Sequence, residues 1–344
     1  MSNEKNTRWQ RRPEGSTWGD FGADDQLGRL NLITAEKVQQ GVAEVKEGLT
    51  FCLSLPLDMP GGNMLNPRRF PPKLQPTRLG HSPRWMFEVG TEIDGATDVI
   101  NDDVAILHLQ YSSQWDSFAH AGSVFDADGS GTARPMFYNG FRGGVELPVA
   151  SASGDWYSSG VKKLGIENFA QHGIQGRAVL IDLFEHYGQD RKLVGYDDLM
   201  VIIEKDKVTV EAGDILLLHT GFATQLLQWA GQPDENRIHN MCAVLDGRDE
   251  RLLQWITDSS IAAIAADNYA VENAGAEKPA GPCAILPLHE HCLFKLGVPL
   301  GEIWLLDELA KWLRANGRSR CLLTAPPLRL PGAVGSPVSP IATV

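Results

Sequence analysis

Four side chains that can bind a metal or move a proton fall within eleven residues of each other: Gln110, Gln114, Asp116 and His120. The apolar run from Val104 to Leu109 precedes them and predicts a buried strand. A carboxylate with an imidazole four positions later, at the end of such a strand, can hold a metal and a general base on one rigid support. The residue types also fit ordinary structural roles, because aspartates cap turns and a lone histidine is more often structural than catalytic.

A second group of candidate ligands lies much later in the chain and consists of His289, His291 and Glu302. A predicted helix from Leu288 to Leu296 would carry both histidines. If one imidazole and Glu302 meet Asp116, one nitrogen and two carboxylate donors form a site that leaves room for water, as a hydrolytic metal needs. The same residues also fit two surface histidines and a solvated glutamate.

The elements that must position these residues follow from hydrophobic periodicity and from turn and capping signals. The predicted strands are Leu49 to Leu57, Trp85 to Val89, Val104 to Gln110, Arg177 to Leu183, Val208 to Val210, Asp214 to His219, Ile261 to Ala266 and Cys321 to Thr324. The predicted helices are Ala35 to Glu47, Ile166 to Gln171, Tyr196 to Glu204, Phe222 to Trp229, Asp249 to Asp258, Leu288 to Leu296 and Asp307 to Ala315. The tail from Gly335 to Ile341 shows no period.

This alternation of strand and helix favours one α/β domain over residues 31–344, preceded by an N-terminal arm of residues 1–30. A mixed sheet is expected rather than a doubly wound parallel one, because no glycine-rich nucleotide turn follows a strand. The arm contains Trp9 and Trp18, which could anchor it on a neighbouring surface or on a second subunit. From Pro60 to Arg84 prolines and glycines interrupt every pattern, and a loop of that length is expected to border the substrate pocket.

Composition limits the class of partner. The 344 residues carry a formal net charge of −12 and no run of lysine and arginine, so a small molecule is expected rather than nucleic acid or an anionic membrane. The five cysteines are scattered without a C-x-x-C pair, which indicates reduced thiols. The absence of a signal peptide and of a membrane-length apolar stretch predicts a cytoplasmic protein.

Motifs for several other chemistries do not occur in the sequence. It contains no G-x-S-x-G, no G-x-x-x-x-G-K-[ST] and no H-E-x-x-H, so a serine hydrolase, a phosphate-loop enzyme and a zincin have no local support. The segment Asp126 to Gly131 imitates the start of a calcium loop, but Phe137 stands where a bidentate glutamate is required. Cysteine–histidine catalysis stays open, because its partners need not be neighbours in sequence.

The central segment has the pattern of a known family. The signature H-x-G-T-H-x-D-x-P-x-H of the putative cyclase or kynurenine formamidase-like hydrolases is similar to Gln110-Tyr111-Ser112-Ser113-Gln114-Trp115-Asp116-Ser117-Phe118-Ala119-His120. In this alignment Asp116 takes the place of a metal-ligand aspartate and His120 that of the catalytic histidine, whereas Gln110 and Gln114 replace two metal-ligand histidines. The chain therefore resembles a divergent branch with Gln-Trp-Asp in place of His-x-Asp. The resemblance implies the swivelling β/β/α fold of the family.

The resemblance also suggests the remaining ligands and the cofactor. The register around Glu302 makes His289 the predicted ligand and His291 the alternative, and Glu302 completes a metal position that includes Asp116. The expected cofactor is a divalent metal, Mn²⁺ or Zn²⁺. Neutral amide oxygens are poorer ligands than imidazoles and suit hard ions better, so the two glutamines also leave open a protein without metal. By analogy the chain is expected to form a homodimer or homotetramer.

Four residues are predicted near the substrate. Asp267 matches a family aspartate that either orients a ligand or binds only backbone. Thr220 and Phe222 belong to an element that resembles part of the substrate wall, and Trp115 lies inside the motif itself. All of them follow or lie in predicted strands, where an α/β sheet commonly opens onto its pocket.

Together these residues predict a metal-dependent hydrolase of a small cyclic or acylated amide, lactone or ester. Water would attack the carbonyl carbon, and His120 would take a proton and return it to the leaving nitrogen or oxygen. One alternative is a cyclase or dehydratase that uses His120 and Asp116 without metal. The other is a catalytically inactive binding protein, which the replacement of two histidines suggests.

Overall fold

The computed structural model describes residues 8–149, 160–275 and 277–344, and nine strands of this part of the chain form one sheet. They are β1 (Thr50–Cys52), β2 (Gln114–Asp116), β3 (Gln175–Asp182), β4 (Ile215–His219), β5 (Ala263–Ala266), β6 (Leu300–Glu302), β7 (Arg320–Thr324), β8 (Gly335–Pro337) and β9 (Ile341–Thr343). Their order across the sheet is β1-β9-β7-β3-β4-β5-β6-β2-β8.

The centre of this sheet is parallel and its flanks are antiparallel. Strands β3 to β6 run in the same direction, and the pairs on either side of them are antiparallel. The central strands are mostly apolar and almost entirely buried because both of their faces are covered, and Val179, Ile181 and Leu217 are fully buried. The predicted mixed sheet of a single α/β domain is confirmed.

Helices pack against this sheet, and most lie close to their predicted positions. The α-helices are Ala35–Ala43, Glu167–His172, Leu183–Tyr187, Tyr196–Lys205, Phe222–Gln228, Glu250–Ser259, Pro287–His289 and Asp307–Ala315, and a π-helix, Glu290–Leu296, continues the seventh. Short 3₁₀ helices span Gly28–Leu32, Val89–Thr91 and Tyr138–Gly140. No helix in the described ranges has the length and apolar character needed to cross a membrane.

Three predictions about strands were wrong. The apolar run at Val104 lies in an exposed strand, Asp103–Ile106, which pairs only with Lys73–Pro76; the buried strand is the polar segment Gln114–Asp116. Residues 208–210 form no strand, and of Trp85 to Val89 only Phe87–Glu88 is a strand. The segment from Gly335, for which no element was predicted, contributes β8 and β9. Periodicity fails in these places because a three-residue strand is too short to show a pattern, and because an apolar run does not reveal what covers it.

The small two-stranded sheets lie outside the central one. They pair Ser123–Phe125 with Arg134–Met136, Lys192–Val194 with Ala243–Leu245, Arg78–Leu79 with Ser82–Pro83, and Phe87–Glu88 with Val99–Ile100. The last two belong to the same projecting segment as Lys73–Pro76 and Asp103–Ile106. The strand predicted over Trp85 to Val89 is therefore reduced to two residues.

The described part of the predicted N-terminal arm, residues 8–30, packs on the body of its own chain. Trp18 is fully buried, and its indole nitrogen donates to the carbonyl oxygen of Phe294 at 2.7 Å. The Trp9 ring packs beside it at an interplanar angle of 58°, with ring centres 6.1 Å apart. Both tryptophans therefore contribute to the core of one subunit.

Thr34 tests the capping signal from which the first helix was predicted. Its side chain accepts a hydrogen bond from the backbone nitrogen of Lys37, and the helix Ala35–Ala43 packs against β3 and β7. Replacing Thr34 by alanine should lower the free energy of unfolding by about 1 kcal/mol, because the backbone nitrogen of Lys37 loses its side-chain acceptor. Thr34→Ser keeps the acceptor and should unfold at nearly the wild-type denaturant concentration. An equal loss in both variants would contradict this capping role.

Candidate metal centre

Strand pleating brings three of the predicted site residues to one face of the sheet. In the register between β2 and β6, Gln114 lies opposite Glu302 and Asp116 lies opposite Leu300. Because alternate residues of a strand point to the same face and cross-strand partners share it, Gln114, Asp116 and Glu302 project together. All three are at least 97% buried. The Gln114 amide nitrogen donates to Glu302 Oε2 at 3.1 Å.

His289 reaches this face from the helix that begins at Pro287, and Glu272 holds it there. The Glu272 carboxylate accepts hydrogen bonds from the backbone nitrogens of Leu288 and His289 and from His289 Nδ1, the last at 2.8 Å. An anion is favourable at a helix N-terminus, so one side chain both caps the helix and orients the imidazole. His289 Nε2 is then directed to Glu302 Oε1, 3.3 Å away.

His120 lies at the accessible edge of the same cluster. Its Nε2 atom is 3.8 Å from Asp116 Oδ2, and its ring centre is 6.5 Å from that of His289. Its side chain keeps 24% of its surface exposed, whereas that of Asp116 keeps 1%. Of this pair, His120 is the one that a small molecule entering from solvent can contact.

Gln110 joins Asp116 to His120. Its amide nitrogen lies 3.3 Å from Asp116 Oδ1 and 2.8 Å from His120 Nδ1. An amide nitrogen facing a carboxylate is a donor, so Nδ1 of His120 accepts and the neutral imidazole carries its proton on Nε2. Gly335 makes room for this side chain, since a Cβ atom there would lie 2.7 Å from the Gln110 amide.

Asp116, His289 and Glu302 form the group of possible metal ligands found in the described residues. Each offers one ligand atom, and these atoms lie within 4.8 Å of one another. Two buried atoms beside them, Asp116 Oδ2 and Gln114 Oε1, have no hydrogen-bond partner among the described residues. An imidazole whose second nitrogen is held by a carboxylate, together with two carboxylate oxygens, is a donor set suited to a divalent metal. The residues fit such an ion.

The electrostatics of the cluster agree with this fit. Burial raises the pKa of Asp116, against the lowering effect of His120. Burial opposes protonation of His289, but its hydrogen bonds to Glu272 and Glu302 and their charges prevail and raise the pKa of His289 to about 10. Burial favours the neutral acid at Glu302, yet the bond and charge of His289 outweigh it, so the pKa of Glu302 is lowered. Without an ion the His289 proton compensates these carboxyl groups, and a divalent cation that displaces this proton can take over that role.

Arg69 adds a second positive charge at the margin of the cluster. Its Nη1 atom donates to the carbonyl oxygen of Gln110 at 2.6 Å, and its charge lowers the pKa of both Asp116 and Glu302. With Gln110 and Tyr269 it lines a cavity of about 10 Å³. That volume holds about one water molecule. The long loop from Pro60 therefore reaches the edge of the cluster, and its place beside a substrate stays a prediction.

Other residues predicted near the substrate lie elsewhere. Trp115 points to the opposite face of β2, where it is fully buried, donates to the carbonyl oxygen of Ala325 and contacts Trp304 edge to face. Its position is that of a core residue rather than of a pocket wall. Asp267 accepts three hydrogen bonds, from the backbone nitrogen and hydroxyl of Thr220 and from the backbone nitrogen of Gly221. Asp267 and Thr220 thereby stabilise the turn after β4.

Phe222 and His291 are also separated from the cluster. Phe222 lines a cavity of about 530 Å³, and Glu272 forms part of the wall of the same cavity. The His291 ring lies beside Thr257, with Nε2 2.9 Å from the threonine hydroxyl. Of the two candidate histidines, the structure therefore brings His289 to the other ligands.

Sequence reasoning did not assign roles to Glu272 and Arg69. Glu272 follows β5 by six residues, and its place in an irregular segment gave no period from which its direction could be inferred. Arg69 lies among prolines and glycines, where any side-chain direction is possible. The one sequence signal for either residue is a charged side chain in a loop that precedes a site motif along the chain.

The sequence matches a known protein family. Residues 53–273 match the putative cyclase family, and this range is more than half of the sequence, so the chain belongs to that family. A solved structure described as a novel cyclase is 31% identical, with a TM-score of 0.72, and the alignment covers 96% of this chain and 97% of that one. The comparison with curated proteins gave no match.

Two isatin hydrolases share the fold at lower identity. Isatin hydrolase A from Ralstonia solanacearum is 14% identical, with a TM-score of 0.53, over 89% of this chain and 95% of that one. Isatin hydrolase A from Labrenzia aggregata, bound to benzyl benzoate, is 13% identical, with a TM-score of 0.53, over 89% and 97%. At this identity the likeness concerns the arrangement of the backbone.

Glu272 provides a test of the metal centre that does not depend on activity. Glu272→Gln removes the charge that orients His289, so we expect the affinity for Mn²⁺ or Zn²⁺ to fall on the order of 10- to 100-fold in calorimetric titrations. Glu290→Gln is the matched control, since Glu290 directly follows His289 in the chain but its carboxylate accepts from the hydroxyl of Ser123. Equal affinity in the Glu272→Gln variant and the wild type would contradict the assigned arrangement.

His291 should make the folded state sensitive to acid. Burial, with a smaller effect of Lys295, lowers its pKa from 6.5 to about 4. Between these pH values the unfolded chain binds a proton that the folded chain does not, so stability falls as the pH drops through this window, by up to about 3 kcal/mol. In urea denaturation, His291→Gln should show a shallower loss between pH 6.5 and 4 than the wild type. His172→Gln, at the exposed end of the helix Glu167–His172, should keep the wild-type slope.

Proposed function

We propose that this chain is a metal-dependent hydrolase of a small cyclic or acylated amide, lactone or ester. The observation that carries the proposal is the meeting of Asp116, His289 and Glu302 beside a partly exposed His120. Three protein ligands, which leave a coordination position for water or substrate, are typical of catalytic rather than structural metal sites. Family membership supports the same class, because two of its fold neighbours are described as isatin hydrolases.

Asp116, His289 and Glu302 would hold the ion, which we expect to be Mn²⁺ or Zn²⁺. When bound, a divalent metal supplies a Lewis acid and makes water a better nucleophile near neutral pH. Gln114 can add its free amide oxygen, because its nitrogen is already bonded to Glu302. Gln110 directs its nitrogen to Asp116, so its role is to position side chains rather than to act as a ligand.

His120 would move the proton in the reaction. As a base it takes a proton from the attacking water at Nε2, and as an acid it returns this proton to the leaving nitrogen or oxygen. The base form must carry its other proton on Nδ1. Gln110 can support this form when a bound ion compensates Asp116, because the turned amide then presents its oxygen to the protonated Nδ1.

The surroundings favour a small substrate with a polar carbonyl group. Arg69 and Gln110 line the narrow cavity next to the cluster, and Arg69 is the cation there that could stabilise negative charge developing on the carbonyl oxygen. Isatin is a cyclic amide and gives its name to two of the fold neighbours, so it heads a test panel that also contains lactams, imides, formamides and lactones. Product formation with each compound would be followed with and without added Mn²⁺ or Zn²⁺.

His120→Ala is the decisive variant for this proposal. It should lower kcat on the order of 10²- to 10⁴-fold, because proton transfer by a positioned group contributes about that much, while metal content stays at the wild-type level. His172→Ala, an exposed histidine, should keep full activity. Turnover is measured on the best substrate of the panel and metal content by elemental analysis.

Three outcomes would contradict the proposal. Full activity in chelator after complete removal of metal would favour a cyclase or dehydratase that works without an ion. No turnover of any compound by metal-loaded wild type, with ligand affinity unchanged in His120→Ala, would favour an inactive binding protein. Wild-type kcat in His120→Ala would leave the imidazole without a chemical role.

A further inference from the structure

A cavity of about 530 Å³ lies beside the metal centre, and we call it the side cavity. Leu65 and Tyr269 line both the side cavity and the narrow cavity that Arg69 lines, so they form a common wall between the two. Glu272, which orients His289, also belongs to the wall of the side cavity. Small-molecule sites in proteins span roughly 300–1,000 Å³, so the side cavity has the size of a ligand pocket.

The wall combines apolar side chains with a buried polar atom that lacks a partner. Its buried apolar residues include Phe222, Ile238 and Met241, each at least 97% buried. Asn268 also lines the cavity, and its amide nitrogen donates to the carbonyl oxygen of Ala243 at 2.9 Å. The Oδ1 atom of Asn268 has no hydrogen-bond partner among the described residues. Such buried polar atoms are rare in native structures, and a ligand N–H or O–H group would supply the missing donor.

Arg191 is held in this wall by two other lining residues. Its Nη2 atom donates to Asn273 Oδ1 at 2.7 Å, and its Nη1 atom donates to the carbonyl oxygen of Met241 at 3.3 Å. The backbone fixes these segments to each other, because the strand that follows Arg191, Lys192–Val194, pairs with Ala243–Leu245. The guanidinium group is therefore positioned before any ligand arrives, which lowers the entropic cost of binding.

The charge of Arg191 is not compensated in the described part of the chain. No aspartate or glutamate there forms an ion pair with it, and two of its five N–H groups are used, which leaves three. Burial of part of the side chain lowers the pKa of Arg191, against an opposing effect of Cys242. Glu272 does not act as its counterion, because the Glu272 oxygens already accept from the backbone of Leu288 and from His289. An anion in the side cavity would supply the missing charge.

We propose that the side cavity binds a carboxylate group of the substrate through Arg191, while the scissile carbonyl group of the same molecule reaches the metal centre past Leu65 and Tyr269. This inference rests on the proposed hydrolase function and narrows it to substrates with a carboxylate remote from the bond that is cleaved. The planar guanidinium group matches a carboxylate with two parallel hydrogen bonds, which gives direction as well as affinity. Arg191 thus determines specificity and takes no part in bond cleavage.

Calorimetric titration with matched ligands tests the carboxylate site. The probes are N-acetylated ω-amino acids, from N-acetylglycine to N-acetyl-ε-aminocaproate, each compared with its neutral primary amide. They are titrated into Mn²⁺-loaded full chain carrying His120→Ala, which slows hydrolysis. At the best length the acid should bind on the order of 10- to 100-fold more tightly than its amide, because a hydrogen-bonded charge pair is worth that much. One length should be best, since both ends must reach their partners.

Adding Arg191→Met to this chain should abolish the preference for the acid, and Arg191→Lys should keep part of it. Arg329→Met is the matched control, because Arg329 is exposed and donates to the neutral side chain of Gln171. It should retain the full preference for the acid. Mn²⁺ affinity is measured in every variant, because Arg191 bonds to Asn273 and Asn273 directly follows Glu272.

The outcomes separate this inference from the proposed reaction. Equal affinity for acid and amide in the chain with Arg191 intact would overturn the carboxylate site, even if some compounds are hydrolysed. Equal losses for acid and amide in Arg191→Met, together with weaker Mn²⁺ binding, would reduce Arg191 to a structural role and also overturn it. The same affinity at every length would refute a ligand that spans both cavities. A preference for the acid that depends on Arg191 supports the site, even if no compound is turned over and the hydrolase proposal fails.

Discussion

Buried negative charge is the constraint on which the site depends. Glu272, Glu302 and Asp116 are all at least 97% buried, and an ionised carboxylate in such surroundings costs several kcal/mol unless it is paired. Glu272 has two backbone donors and His289, and Glu302 has His289 and Gln114. Asp116 is the least compensated, with one contact at 3.3 Å and a second oxygen without a partner. The carboxylate oxygen that lacks a donor therefore lies where the three ligand atoms converge, and a divalent cation at that point would compensate its charge.

Gln110 and Gln114 change the hydrogen bonds around the buried carboxylates, while the carboxylates themselves remain. By family resemblance both positions hold ligand imidazoles, and neutral amides now occupy them. One amide bridges a ligand carboxylate to His120, and the other bonds to Glu302 and keeps its oxygen free. An amide offers both a donor and an acceptor, so it can hold neighbouring side chains in place where an imidazole would have bound the ion. The donor set becomes richer in oxygen, which favours harder metals.

The sequence was informative where a local pattern has one physical meaning. Strands β3, β4 and β5 were predicted from continuous apolar runs, and the helices Tyr196–Lys205, Glu250–Ser259 and Asp307–Ala315 from their hydrophobic periodicity. Predictions from the sequence were wrong where the burial of a strand depends on contacts with distant segments. The apolar run at Val104 forms an exposed strand, whereas β2, polar and three residues long, is the buried strand that carries the site.

The sequence by itself determined the chemical inventory: a carboxylate and an imidazole four residues apart, a glutamate and two histidines far along the chain, and an α/β order of elements. The tertiary structure decided which of these meet. It selected His289 through the cap that Glu272 provides, and directed Trp115 into the core. The reason is that side-chain direction in a strand follows from register with its neighbours, and in a helix from what holds its end. Both are contacts between segments more than ten residues apart, which local pattern does not encode.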